Sequence, residues 1–442
     1  MRLKSIILFV AAGGAACFLG VLAISTILDT AAGAQRLAEP EATPALIVRG
    51  EYLAKLGDCA ACHSVLGRPA FTGGLRMNTP IGAIYTTNIT PDPKYGIGSF
   101  SLTDFDRALR FGVSKGHTLY PAMPYPSYSN TKLDDVAALY AYFKHGVTAS
   151  ATPNATNEIP FPLSMRWPLT FWRLLFSPHA TPFKPGSLEP LEARGAYFVD
   201  GLGHCGECHT ARALTMQVKA QTRQDGTAYL SGAVIDNYFA PSLRTSGAGS
   251  LANWDTKDIA DFLRMGANKY GIVFGSMTDV VTHSTQFMTD EDALATATYL
   301  KSIADPQISA FAYNDAEHLA LKKGDTSKTG SLLYVDNCAA CHRPDGHGYD
   351  RVFPALAGNP VVMAPDATSL ALIVLGGSLT PKTNKTPAQF AMPAFAWRLD
   401  DQEVADVVTF IRDSWGNQGK PITASEVTKL RKAVQPYKQG AP

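Results

Sequence analysis

Two cysteines three positions apart, with a histidine directly after the second, occur in "GDCAACHS" at Cys59, Cys62 and His63, in "HCGECHT" at Cys205, Cys208 and His209, and in "NCAACHR" at Cys338, Cys341 and His342. With 7 cysteines and 10 histidines in 442 residues, chance supplies on the order of a few thousandths of one such motif. The bare cysteine pair suits a zinc knuckle, a thiol redox couple or a haem attachment site. Zinc needs a second ligand pair downstream and a redox couple needs a preceding strand, and neither pattern accompanies these motifs. In a short helix, side chains at i and i+3 or i+4 share a face. Each trio can therefore meet one planar ligand, with the thiols adding to the two vinyl groups of a haem and the imidazole coordinating its iron. The expectation is three covalently bound c-type haems.

An apolar content of 46% with 17% charged residues indicates folded domains rather than disorder. The balance of 39 basic against 38 acidic residues gives no footing for a nucleic-acid partner. The N-terminus reads as an export segment: "MRLK" is basic, Ile6 to Leu28 is apolar apart from two hydroxyl residues, and "AAGAQ" offers Ala32 and Ala34 as a small-residue cleavage site. Export also matches the cysteine chemistry, which needs a compartment outside the cytosol. The apolar run exceeds an ordinary signal core of about 7–15 residues and is long enough to span a bilayer. Residues 1–34 are therefore a signal peptide, cleaved so that the mature chain starts at Gln35, or a retained N-terminal membrane anchor; cleavage is the preferred reading. Cys17 lies inside this run as an apolar filler.

Beyond residue 34 one order of elements appears three times. A helix leads into each haem motif ("LIVRGEYLAKLGDCAACH", "LEARGAYFVDGLGHCGECH", "GSLLYVDNCAACH"), and an amphipathic helix closes each unit ("TKLDDVAALYAYFKHG", "TDEDALATATYLKSI", "LDDQEVADVVTFIRDSW"), with Thr131, Thr289 and Asp400 as N-caps. The Gly-, Pro- and Asn-rich stretches between them, such as "TPIGAIYTTNITPDPKYGIG", read as loops long enough to wrap a haem. Breaker-rich segments place the domains at residues 40–185, 186–308 and 325–442. The fold class is mostly α, as three tandem class I cytochrome c domains. An aromatic and basic insertion, "PFPLSMRWPLTFWRLLFSP", is peculiar to the first junction, where Trp167 and Trp172 serve either interdomain packing or docking to a partner or membrane.

A haem held by histidine alone leaves its iron open, whereas histidine plus methionine fills both axial positions and makes electron transfer the natural task. Met123 in "PAMPYPSY" and Met392 in "AMPAF" sit alike ahead of their closing helices, and the proline after each favours an extended loop. In the second unit Met277 competes with Met288; Met277 lies nearer the repeated position and is preferred. Met77, Met165, Met216, Met265 and Met363 read as core fillers. His117, His145 and His283 fall outside the repeated position.

Together with the three haem motifs, "TPIGAIYTTNITPD", "LYPAMPYPSY", "LSMRWPL", "FPALAGNPVV" and "FIRDSWGN" make the post-signal chain resemble the three-haem cytochrome c subunits of bacterial membrane-bound quinoprotein and flavoprotein dehydrogenases, which act on alcohols, aldehydes, gluconate or sugars. The resemblance implies Met123, Met277 and Met392 as distal ligands, ubiquinone as electron acceptor, and a large dehydrogenase subunit carrying pyrroloquinoline quinone or FAD as partner, with or without a small third subunit. It places the protein at the periplasmic face of the cytoplasmic membrane. Among these relatives the alcohol dehydrogenase subunit is the expected nearest, although this chain stops at "YKQGAP" where some of those subunits continue. No substrate site of its own is expected. The rival readings are a multihaem peroxidase or reductase with an open axial site, and a cytochrome subunit of a terminal oxidase.

Overall fold

Each haem motif follows closely on a helix. The computed structural model describes the chain except residues 1, 178, 236, 245–250, 252–253, 304–310 and 435–442, and the side chains of residues 2–12, 14 and 15. Ile308, given above as the end of the second domain, and the closing "YKQGAP" lie outside the described residues. The chain divides into two compact units, Met1–Lys184 with Asp200–His204, and Pro185–Val199 with Cys205–Pro442. Helices dominate: they make up 44% of the chain, against 8% strand.

In the first unit, α1 (Arg2–Ala31) precedes α2 (Pro44–Leu56), which Thr43 caps by accepting the Leu46 N–H at 3.2 Å. The middle helix α3 (Leu102–Phe111) opens on a capping box of Ser101 and Asp104 and stops at Gly112, whose φ of 64° is the left-handed conformation that favours glycine at a helix end. A two-residue hairpin follows, Val113–Ser114 with His117–Thr118, then the closing helix α4 (Leu133–Ala141) and, in the insertion, α5 (Trp167–Phe176). The N-cap of α4 is Lys132 rather than Thr131, whose buried hydroxyl makes no hydrogen bond there.

The second unit repeats the order twice. First come α6 (Pro190–Tyr197), α7 (Thr256–Met265) with its Asp255/Asp258 capping box and Gly266 at φ 71°, a hairpin of Ala267–Asn268 with Gly271–Ile272, and α8 (Asp290–Ser302). Then follow α9 (Ser331–Asn337), α10 (Thr368–Gly376), paired strands Ser378–Leu379 and Ala391–Met392, and α11 (Asp401–Arg412). Thr289 and Asp400 cap α8 and α11 as expected, each accepting a backbone N–H three residues on.

Opening and closing helices cross at one repeated point. A methyl group at Gly50 of α2 would stand 1.9 Å from the Ala138 carbonyl oxygen of α4; at Gly195 of α6 it would stand 2.0 Å from that of Ala295; at Gly330, just ahead of α9, 2.3 Å from that of Asp406. The next side chain met is an aromatic four residues further on in each case: Tyr142, Tyr299 and Phe410. Small residues let the backbones approach, and the ridge of the closing helix fills the groove so formed. Arg49 pairs with Asp135 at 2.5 Å beside the first crossing, and Arg194 pairs with Asp292 beside the second. Gly195→Val is therefore expected to cost about 1–3 kcal/mol by overpacking, against only a few tenths regained in helix propensity. A thermal melt lower than that of the unaltered protein checks this.

Cores form where these helices meet. Leu53, Val136, Leu139 and Phe143 centre the first; Tyr334, Val404, Val408, Phe410 and Trp415 centre the third. A stretch left between domains by the sequence, and another read as loop, pack into these units. Leu321, in the helix Ala316–Lys322, enters the core of Tyr334 and Trp415, and the Asn314 N–H bonds to the Trp415 carbonyl at 3.1 Å, both ahead of Asp325. In the first unit, Arg76–Thr79 and Gly82–Tyr85 form an antiparallel ribbon inside a region read as loop, and Glu158 bonds back to Ala83 on it.

The aromatic insertion packs within its own unit. Trp167 meets Phe18 of α1 edge-on at 6.1 Å, and Trp172 meets Tyr125 at 6.2 Å. Under α5 the carboxylate of Asp29, on α1, is buried. It accepts the Thr118 N–H at 3.0 Å, the hydroxyls of Thr118 at 2.8 Å and Thr170 at 2.9 Å, and the Arg173 guanidinium at 3.3 Å. Among the described residues no helix is long and apolar enough to cross a membrane.

Candidate haem-binding sites

Each Cys-Cys-His trio lies on a single helical turn: Cys59–His63, the turn Gly206–His209 begun at Cys205, and the turn Ala339–His342 begun at Cys338. No disulfide joins any of these six cysteines. Burial, with Asp58 and Cys62 adding to it, pushes the Cys59 thiol up to about 12; burial pushes Cys62 up to about 11 and Cys338 up to about 12. They are reduced, as sulfurs that add to vinyl groups must be before attachment. Among the described residues no group of three or more His, Cys, Asp and Glu side chains is placed to hold a metal ion, so the trios are not arranged as zinc ligands are.

The histidines share one local arrangement. Nδ1 of His63 donates to the Thr87 carbonyl at 2.6 Å, Nδ1 of His209 to that of Pro241 at 2.8 Å, and Nδ1 of His342 to that of Pro354 at 2.9 Å. A carbonyl only accepts, so the proton sits on Nδ1 and Nε2 is left as the nitrogen free to bind a metal. Such a bond fixes the ring and raises its basicity as a ligand. The histidine's own carbonyl is also held in the same way each time, accepting the N–H of Gly73 at 2.7 Å, Gly232 at 2.8 Å and Gly348 at 3.1 Å. Burial holds all three imidazoles below their ordinary pKa, opposed by the carbonyl bond, which keeps them neutral as ligands must be. The supporting carbonyls were not legible in the sequence, since they stand at 24, 32 and 12 residues from their histidines with no constant spacing.

The methionines fall into two classes. Met123, Met277 and Met392 are half-buried, whereas Met288 is 6% exposed and sits in the core just ahead of α8. The hairpin after α3 closes with Leu119 N–H to Gly112 O at 2.7 Å, and the one after α7 closes with Val273 N–H to Gly266 O at 2.8 Å. Met123 and Met277 each stand four residues beyond that closing residue. The last repeat of the order differs: Met392 itself pairs with Ser378, the residue after Gly377, so its methionine enters from the returning strand. Met265 and Met363 are core residues as expected, but Met216 is 42% exposed and fills nothing. His117, His145 and His283 are exposed, away from any such position.

Paired thiols and a neutral imidazole with one free nitrogen on a single turn are the attachment chemistry of covalent haem, and the residues present fit that group: this is a c-type cytochrome. The family model for cytochrome c matches residues 327–415. The chain is 52% identical over 404 residues to the gluconate 2-dehydrogenase cytochrome c subunit of Pantoea cypripedii, covering 90% of this chain and 92% of that one. It is 50% identical over 402 residues to the cytochrome c subunit of a quinone-linked alcohol dehydrogenase of Gluconobacter oxydans, covering 90% and 84%. To the fructose dehydrogenase cytochrome subunit of Gluconobacter japonicus it is 32% identical over 443 residues, covering 93% and 89%. The protein belongs to the family of electron-transferring cytochrome c subunits of membrane dehydrogenase complexes.

Proposed function

We propose that the chain folds as three tandem cytochrome c domains and binds three haems, through Cys59 and Cys62, Cys205 and Cys208, and Cys338 and Cys341. In this reading His63, His209 and His342 are the proximal ligands and Met123, Met277 and Met392 the distal ones. When bound, haem supplies an iron that gains and loses one electron; filling both axial positions with protein ligands favours electron transfer over catalysis at the iron. The protein accepts electrons from a large dehydrogenase subunit carrying pyrroloquinoline quinone or FAD and passes them to ubiquinone at the periplasmic face of the cytoplasmic membrane. The observation that carries this is the arrangement found three times over, a CxxCH turn with Nδ1 on a backbone carbonyl and the histidine carbonyl on a glycine N–H. Identities of 52% and 50% to gluconate and alcohol dehydrogenase subunits do not separate these substrates.

Purification from native membranes tests the whole reading. A pyridine haemochrome assay is expected to give three haems per chain, resistant to acid-acetone extraction, and the co-purifying large subunit is expected to reduce them on adding its substrate. Two haems, or reduction by substrate without any large subunit, would refute it.

A further inference from the structure

We propose that α10, in the third body, is a shared support for the second and third haem sites, with Ser369 as a positioning residue for the second; this rests on the three-haem reading above. Ser369 stands in the first turn of α10 and is 1% exposed. Its hydroxyl accepts the N–H of Phe239 at 2.7 Å and donates to the carbonyl of the same residue at 3.2 Å. Phe239 lies on the strand Tyr238–Ala240, and Pro241, the residue after that strand, offers the carbonyl that holds Nδ1 of His209 at 2.8 Å. One side chain of the third body thus grips both polar groups of a peptide residue two positions from the support of the second histidine.

The other end of the same helix faces the third site. The Val374 carbonyl accepts the Phe395 N–H at 2.9 Å and the Leu375 carbonyl accepts the Ala396 N–H at 3.2 Å, while Gly377 lies so close to the Met392 carbonyl that a methyl group there would stand 2.6 Å from its oxygen. A second tie reaches the methionine side of the second site. Nδ2 of buried Asn359 donates to the Tyr270 carbonyl at 3.1 Å, in the hairpin that leads to Met277. A third joins the Asn384 N–H to Oε1 of Gln286 at 3.0 Å. A helix is stiff over this length, so these ties fix the second site's ligand loops relative to the third site. Electron passage between two haems needs their placement held in this way.

The test uses the haem-loaded full chain. In a spectroelectrochemical titration, the second component is identified as the one missing from Cys205→Ser/Cys208→Ser protein. Ser369→Ala is expected to shift that component and to alter the low-spin EPR signal of the same haem, leaving the first haem's component unmoved. Ser369→Thr, which keeps the hydroxyl, is expected to restore the unaltered curve. Ser369→Cys, with a weaker donor of similar size, is expected to shift it the same way by less, and it serves if the alanine variant does not accumulate. Three haems with a second component identical to that of the unaltered protein, or a shift confined to the third haem, would overturn the proposal alone. A haem count below three would overturn the reading beneath it and the proposal together.

Discussion

Met277→Ala is expected to abolish the methionine-to-iron charge-transfer absorption of one haem and to lower that haem's potential, while Met288→Ala leaves both unchanged. Axial ligands set haem potentials across a range of about 0.8 V, and methionine lies at its raised end. The expectation rests on register. Met277 stands four residues past the closing bond of its hairpin, Val273 to Gly266, as Met123 stands four past that of Leu119 to Gly112. Met288 is buried at the start of α8, where its side chain is packing material. Truncating it therefore affects the fold rather than the iron: a loss of about 2–5 kcal/mol is expected, read as a lower denaturation midpoint with an intact spectrum. The reverse pattern, with the band lost on Met288→Ala alone, would transfer the ligand role to Met288.

The second large effect is expected at Asp29. The sequence favours cleavage after Ala34, while the carboxylate of Asp29 is the acceptor for Arg173, whose side chain is 2% exposed, and for three further donors of Thr118 and Thr170. The same segment supplies the Ala32 and Asp29 carbonyls that accept from Arg107, at 2.9 and 2.7 Å. Removing it would leave a buried guanidinium without its counter-charge, and removing one partner of a buried pair costs about 3–5 kcal/mol. These contacts make the N-terminal helix a packed part of the first unit. Its outward residues Leu19, Ile24 and Ile27 are exposed and apolar, suited to contact with lipid. Intact mass is expected to include Asp29, and Asp29→Ala to lower the melting temperature sharply. A mature mass beginning at Gln35 would refute this outright, since the substitution would then lie in a removed peptide.

The haem motifs, the closing helices and their caps at Thr289 and Asp400 were legible in the chain itself because each depends on residues within one helical turn of one another: thiol and imidazole at i, i+3 and i+4, a cap and the N–H three residues on. The cap at Thr131 slipped by one residue to Lys132, an ordinary uncertainty of helix ends. For Met123 and Met277 the sequence offers a like distance to the closing helix, and the structure adds a shared register, four residues past the bond that closes each hairpin. What only the tertiary structure decided are the partners far apart in sequence. Asp29 meets Arg173 across 144 positions, Phe239 meets Ser369 across 130, and Leu321 enters the third core from a stretch that looked like linker. No periodicity encodes such pairs. A buried charge or hydroxyl finds its partner only once packing has excluded water from around it, and the order in which the helices pack is settled by the whole chain.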